Sequence, residues 1–525
     1  MSALPEHLQG LLDPKAYPHP VQAVHLVETH ISWILLTGEF AYKIKRPVHF
    51  PFVDLRSAER REFLCHEEVR LNQRFARELY LGVCQITSIE GDVRLDGSGL
   101  VIEHAIKMRQ FQREDELDRL LETLRIAPAE LEAFGRALAR IHANLPVAEP
   151  EQTWGRPAAL RTLILENVEE CAQAATVFGG DADVRALRTI LGERLEAAAH
   201  WMSERFACGR VRECHGDLHT RNIVRRGSRL LAFDCMEFER AFRWIDVADE
   251  VAFLLADLDA CRQPLHAHAF LGGYLAYSGD YQACRLLQLY KAHRSLVRAK
   301  VTALSAVTAA ARVGGDTTSM RQQYDEYLDC ARRSLSLEHP ILILMHGLSG
   351  SGKTWIAERL APLLGAVHLR SDVERKRLAG LSELAHSDFD LEQGMYSREE
   401  STRVYQHLAH CAGDTLAGGY TTIIDATFHR REDRAHFRDL SVRLGIAACV
   451  VHCEAPPEVL RARVDARRQR GDDSSEAGLS VLHWQEMHSE PVQAEELFVL
   501  FEAGTDCTDA VNTLTRQIAA LTVSR

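Results

Sequence analysis

The spacing of apolar residues changes several times along this chain, and each change marks an element. Residues 31–36 (ISWILL) and 41–48 (AYKIKRPV) are two β-rich runs on either side of Thr37-Gly38-Glu39. They predict a hairpin that opens a small β lobe. Over 57–78 the apolar positions recur at helical spacing among many charges, so a helix should pack beside that hairpin. Further strands are expected around 81–89 and 100–108. From about 117 to 204 the pattern is mostly helical and rich in Ala, Leu, Glu and Arg, with a break at Trp154-Gly155-Arg156-Pro157. After His215–Asn222 comes IVRRGSRLLAFD, a hairpin pattern turning at Gly227 and ending at Asp234, and helices resume through Arg333.

Composition turns polar over 334–339, and Pro340 then precedes a pure strand, ILILMH. Beyond it, strands alternate with helices: 341–346, a helix, 366–369, helices to about 417, TTIID, a helix, and AACVVHC. Alternation of this kind predicts a parallel sheet with helices on both faces and ligands beyond the carboxyl ends of its strands. The expected fold is therefore two-domain. An α+β domain with a small β lobe and a helical lobe occupies 1–335, and an α/β domain with a parallel sheet occupies 336–525.

At 525 residues, 46% apolar and 26% charged, the chain falls in the ordinary soluble class. Acidic residues outnumber basic ones 74 to 62, and the net charge of -12 gives no chain-wide reason to bind nucleic acid or an anionic membrane. No apolar run approaches the ~18 residues of a membrane span. The start, MSALPEHLQG, lacks the regions of a signal peptide, so a cytoplasmic location is expected. Thirteen cysteines form no CxxC pair, which fits free thiols in a reducing compartment.

Two phosphate chemistries are written into the chain. His215–Asn222 reads HGDLHTRN. Asp217 can orient a substrate hydroxyl and accept its proton, while Asn222 and the strand-borne Asp234 offer oxygen ligands to Mg2+. Lys43 in AYKIK can reach the phosphates of ATP, with Glu68 on the following helix to hold it; Lys45 and Glu67 compete for these two places. His219 reads as a loop-stabilising side chain, and Asp246 and Asp249 as helix-start residues or braces of the loop.

The second chemistry is GLSGSGKT, Gly347 to Thr354. Gly347, Ser349, Gly350, Ser351 and Gly352 form a loop whose amides cradle phosphates, Lys353 neutralises the terminal pair, and Thr354 holds Mg2+. Asp372 can activate an acceptor hydroxyl and Arg375, one turn on, can grip the acceptor; Ser371-Asp372 as a plain helix cap is the alternative. Asp425, at the end of TTIID, can organise Mg2+ through water or support Asp372. The run RARVDARRQR precedes GDDSSEAG and can form an arginine lid, with Arg463 and Arg467 on one helix face as first choices.

On HGDLHTRN and Asp234, residues 1 to about 330 resemble the aminoglycoside phosphotransferase branch of the protein-kinase-like fold. Gly216 stands where protein kinases carry Arg, and Cys235-Met236 replaces their Phe-Gly, departures that favour a small-molecule kinase. The phosphate-covering G-x-G-x-x-G is missing, leaving only Gly38 in the first hairpin. Residues 338–525 resemble the small P-loop kinases that include polynucleotide kinases, the zeta-toxin group and gluconate-type sugar kinases. The whole chain is similar to bacterial proteins that fuse these two domains. The resemblance implies ATP-dependent transfer, with Mg2+, to small-molecule hydroxyl acceptors at two sites. Phosphorylation of nucleic-acid ends by the second domain, or a non-catalytic ATP switch, are the other readings.

Overall fold

The computed structural model describes residues 4–50, 53–179, 181–310, 317–336, 339–381, 398–470, 478–493, 495–502 and 507–523. Its contacts divide the chain into two compact units, Met1–Glu166 with Met202–Asp257, and Asn167–Trp201 with Leu258–Arg525. Asn167–Trp201 and the helices after Leu258 thus group with the sheet that follows Pro340.

The first unit is built on a six-stranded antiparallel sheet in the order His25–Glu28, Ser32–Leu36, Phe40–Lys45, Leu100–Arg109, Tyr80–Ile89, Asp92–Leu95. Side-chain alternation along Phe40–Lys45 decides where its chemistry goes. Tyr42 and Ile44 point to one face and pack with Leu8, Leu11, Trp33 and Leu35. Ala41 faces the other way, onto Cys65 and Val69 of the helix Ala58–Ala76. Lys43 and Lys45 share that second face. The helix starts where Ser57 Oγ accepts the Arg60 amide, which supports its first turn.

The hairpin around Thr37-Gly38-Glu39 forms as expected, but the strand His25–Glu28 precedes it, so it is the second hairpin of the lobe. That edge strand, HLVE, is mostly exposed and carries no apolar run to announce it. The helical tract resolves into Leu117–Glu122, Pro128–Ala143, Pro157–Ala174 and Asp181–Ala207. The antiparallel pair Ile223–Arg226 and Arg229–Ala232 carries the chain to Asp234.

In the second unit five parallel strands lie in the order Val367–Arg370, Thr422–Asp425, Ile341–His346, Ala447–Glu454, Phe498–Glu502. Every residue of Ile341–His346 is buried, which explains its unbroken apolar run. Ile343 and Met345 pack with Ile356 and Leu360 of the helix Lys353–Leu364 and with Leu514 and Ile518 of Cys507–Val523. Helices Pro264–Ser278, Cys284–Ala310 and Thr318–Leu335 belong to this unit as well. Among the described residues no helix is long and apolar enough to cross a membrane. The described cysteines are free, and all but Cys208 and Cys261 are buried.

Candidate active sites

In the first unit, five charged side chains form one chain of ion pairs. Lys43 Nζ lies 2.5 Å from Asp234 Oδ1 and 2.8 Å from Glu68 Oε1. Lys45 Nζ lies 2.6 Å from Glu68 Oε2 and also pairs with Glu237. Glu68 is completely buried and takes both lysines, one on each oxygen. Burial alone would lower the pKa of Lys43; the Asp234 and Glu68 carboxylates outweigh it and hold that pKa well above the ordinary value. Burial likewise pushes the Glu68 carboxyl up, but the two ammonium groups bring it below its usual range. Glu237, with less compensation for its burial, is raised. Glu67 is engaged elsewhere, with Arg70 at 2.7 Å and Arg243 at 2.9 Å.

The HGDLHTRN segment runs alongside the strand that ends before Asp234. The Phe233 amide donates to Asn222 O at 2.9 Å, the Met236 amide to His215 O at 2.9 Å, and the His215 ring contacts Phe233 O at 2.8 Å. Asn222 Nδ2 donates to Asp217 O and Oδ2, each at 3.0 Å, and His219 Nε2 lies 3.4 Å from Asp217 Oδ2. Asp234 itself has φ of +65°, a left-handed conformation that is costly for a non-glycine residue. Its amide donates to Tyr80 Oη at 3.1 Å, and the next amide, of Cys235, donates to Asn72 Oδ1 at 3.0 Å. Asn222, Asp217 and Asp234 present only oxygens as acceptors, the donor set a hard cation such as Mg2+ takes.

Gly216 has a structural cause. Its φ is +86°, and a Cβ there would lie 2.8 Å from Phe242 O and 3.0 Å from Met236 Cβ. An arginine side chain has no room at this position.

Two braces of this loop were not singled out in the sequence. Glu250, fully buried, accepts the His215 and Gly216 amides at 3.0 and 2.7 Å and lies 3.0 Å from His142 Nε2. Asp257 accepts the Thr220 amide at 2.8 Å and its hydroxyl at 2.6 Å. Asp246 acts at the helix start, accepting the Ala248 amide at 2.9 Å while paired with Arg205 at 2.7 Å. His142, Cys214 and Glu250 lie close enough to share a metal ion, but both Glu250 oxygens are already committed to the loop. Gly38, the lone glycine of its hairpin, donates its amide to Gln110 Oε1 at 2.8 Å.

The second site stands at the end of the central strand of the parallel sheet. Gly347 has φ of +139°, and a Cβ there would lie 2.4 Å from Cys453 O. Lys353 Nζ donates to Gly347 O at 2.8 Å and Leu348 O at 2.9 Å, closing the loop on itself. Ser349 donates its amide to Gln485 Oε1 at 2.9 Å, and Ser351 Oγ is buried with no hydrogen-bond partner among the described residues. Gly350 has φ of +86° and its carbonyl accepts from Arg463 Nη1 at 3.2 Å, whereas Gly352 caps the helix that begins at Lys353 and places Thr354 in its first turn. A glycine-lined turn leading into a helix N-terminus is a fitting cradle for a polyphosphate.

Sheet register sets the remaining residues. Met345, Asp425 and Arg370 occupy one rung, so Gly347 and Asp372 each start two residues beyond it. Asp425 is buried with His368 Nε2 at 3.4 Å; burial would raise its pKa, and the imidazole outweighs this and lowers it. The helix Ser371–Leu378 carries Asp372 and Arg375; Arg370 holds its cap position and no side chain makes a cap hydrogen bond. The same helix is anchored by Glu374, fully buried, which accepts from Tyr281 Oη at 2.9 Å, Arg377 Nε at 3.0 Å and His407 Nε2 at 3.0 Å. Arg377 also donates to Ala276 O at 2.5 Å and Tyr277 O at 2.9 Å, carbonyls in the last turn of Pro264–Ser278. Arg463 and Arg467 both fall on the helix Pro457–Arg470, but the Arg467 side chain, the Arg468 and Arg470 side chains and residues 471–477 lie outside the described residues.

Residues 55–287 match the phosphotransferase enzyme family, and residues 342–492 match an AAA domain. An uncharacterized protein of Mycobacterium tuberculosis is 29% identical over 461 residues, 87% of this chain and 89% of the relative. Among solved structures, a gluconokinase from Sinorhizobium meliloti is 19% identical with a TM-score of 0.26, covering 36% of this chain and 96% of its own. A choline kinase from Cryptosporidium parvum is 10% identical with a TM-score of 0.37, covering 60% of this chain and 89% of its own. The chain thus joins a kinase-like domain of the phosphotransferase enzyme family to a carboxyl-terminal P-loop domain of the kinase-like AAA type.

Proposed function

We propose that this chain is an ATP- and Mg2+-dependent phosphotransferase with two sites that phosphorylate hydroxyl groups of small molecules, one carried by 1–335 and the other by 336–525, acting in the cytoplasm. The observation that carries the reading is the Lys43 to Asp234 contact across 191 residues of sequence, with Glu68 closing the pair and the Asp217–Asn222 bond beside it. A fold that merely needed a turn at HGDLHTRN has no use for that assembly.

In the first site Asp217 accepts the proton of the acceptor hydroxyl as its oxygen bonds to phosphorus and the bond to the leaving diphosphate breaks. Asn222 and Asp234 hold Mg2+, and Lys43, kept charged by its two carboxylates, neutralises phosphate oxygens. In the second, the amides of Gly347 to Gly352 and Lys353 bind the phosphates and Thr354 holds Mg2+, with Asp425 in support. Asp372 takes the acceptor proton, Arg375 positions the acceptor, and Arg463 and Arg467 stabilise the transferring group. Mg2+ held by these residues would supply charge neutralisation for the transfer. The net charge of -12 counts against nucleic acid as the acceptor.

The test is phosphoryl transfer from labelled ATP to a metabolite extract by the full chain and by Asp217→Asn and Lys353→Ala variants. Each variant should lose one set of labelled products and keep the other. Full retention of every product by both variants overturns the proposal.

A further inference from the structure

The second unit holds a cavity of about 440 Å³ that includes no residue of the P-loop or of HGDLHTRN. It opens at the amino end of the helix Pro264–Ser278. Its charges do not balance. Arg262, Lys291 and Arg333 face it together with a single carboxylate, Asp259, and that carboxylate is engaged by Lys291 Nζ at 2.5 Å. Neither guanidinium donates a hydrogen bond to, or pairs with, any described residue, and the Gln288 carboxamide is likewise without a partner among them.

The helix end adds donors of the same kind. Pro264 occupies its first turn, no side chain caps it, and no acidic residue stands there to meet its dipole. Arg262 and Arg333 stand exposed at the mouth of the cavity, while its wall is partly closed: Cys330 and Ser334 are buried and the Lys291 side chain is only 13% exposed. Two guanidinium groups, a carboxamide and a helix N-terminus without a side-chain cap therefore line one concavity, and among the described residues neither guanidinium nor the carboxamide has an acceptor. Arginine forks and helix N-termini share one preferred partner, the phosphate group. The cavity also falls within the usual size of small-molecule sites.

We infer that this cavity binds the phosphate group of a small phosphate monoester, at a site separate from both proposed transfer sites. Arg262 and Arg333 grip the phosphate, the first-turn amides of Pro264–Ser278 complete its coordination, and Gln288 contacts the organic part. The Asp259–Lys291 pair fixes the floor of the site.

The experiment uses the full-length Lys353→Ala variant, in which the P-loop contribution to phosphate binding is removed, and follows its melting temperature against glycerol 3-phosphate, inorganic phosphate and succinate. Glycerol 3-phosphate should raise the melting temperature saturably, and adding Arg262→Gln and Arg333→Gln should weaken its apparent affinity at least tenfold without lowering the ligand-free melting temperature. Inorganic phosphate as strong as the ester identifies free phosphate as the occupant and still supports the site. If the double substitution impairs folding, Gln288→Leu alone should weaken the ester while leaving inorganic phosphate unchanged. Equal stabilisation by succinate, no stabilisation by either phosphate, or equal stabilisation with and without the two arginines overturns the inference. None of these readings depends on catalysis, so a failure here leaves the proposed transfer activity to its own test.

Discussion

The two candidate sites are made in opposite ways. The kinase-like site is assembled from side chains far apart in sequence, Lys43, Glu68, Asp217, Asn222 and Asp234, held by buried charge pairs. The P-loop site is contiguous, and its working surface is main chain shaped by glycines. The first therefore depends on the balance of charge in a low-dielectric interior, and the second on the absence of Cβ atoms. Substitutions that remove a charge should be worst in one site, and substitutions that add a methyl group should be worst in the other.

Removing Glu68 is the strongest way to break the first half of that contrast. Glu68→Ala leaves Lys43 and Lys45 buried with one shared partner fewer and should destabilise the first unit by about 3–5 kcal/mol, read from denaturant unfolding. Replacing Lys45 and Glu237 together, by Met and Leu, removes one charge of each sign and should cost far less. Equal losses would mean that the chain of pairs is not electrostatically coupled.

For the P-loop the corresponding change is Gly347→Ala. Its Cβ would meet Cys453 O at 2.4 Å in a backbone conformation that L residues rarely adopt. A loss of about 1–3 kcal/mol is expected, together with loss of nucleotide binding at that site by calorimetry. Gly365→Ala is the control, because its φ is +57° but its Cβ would meet nothing within 4 Å. It should cost about 1 kcal/mol and leave nucleotide binding intact.

The same difference governs what the sequence discloses. GLSGSGKT is legible because a contiguous backbone cradle must be spelled in consecutive residues, and the all-buried strand before it gives an unambiguous apolar run. The kinase-like site is legible only as a conjunction of partial signals. Alternation places Lys43 and Lys45 on one face, with Lys43 as the first choice and Lys45 as its competitor, and the structure shows why both fit the pattern: Glu68 takes both. Glu237 went unnoticed, although its spacing from Asp234 is short. Glu250 was passed over for Asp246 and Asp249 because Val247–Ala260 is buried on nearly every side and so has no polar face to set its phase. The seven-residue step from Glu250 to Asp257, two turns on one helix face, was the available clue. The strand His25–Glu28 was invisible for the opposite reason, being an exposed edge with little to bury.

Both sites rest on supports outside their motifs, and Tyr281 gives the smaller mutational test. Tyr281→Phe removes one donor from the buried Glu374, which keeps His407 and Arg377. A loss of about 1–2 kcal/mol in the second unit is expected. Hydrogen exchange over Ser371–Leu378 should quicken while exchange over Lys353–Leu364 is unchanged. Uniform quickening of both helices would show that Glu374 braces the whole unit and not the Asp372 helix in particular.

The smallest expected effect is one of sign, and it separates the units by pH. In the second unit burial, with His452 adding to it, holds the His346 pKa down at about 3. An unfolded histidine, titrating near 6.5, binds more protons than this one across that interval. Stability contributed by His346 is therefore present above about 6.5 and lost as pH falls toward 3. In the first unit burial raises Glu116 to about 7 despite the nearby Arg113 guanidinium. Here the folded state binds the extra proton between the ordinary carboxyl value and 7, so stability falls as pH rises through that window. Hydrogen exchange over Ile341–His346 should slow on going from pH 5 to 6.5 after correction for intrinsic rates, while exchange over Arg113–Asp115 and Leu117–Glu122 should quicken. Glu116→Gln should abolish the second slope and leave the first, because the amide keeps the shape and cannot titrate. Parallel slopes in the two units would mean that one global charge effect, and not these two buried groups, sets the response to pH.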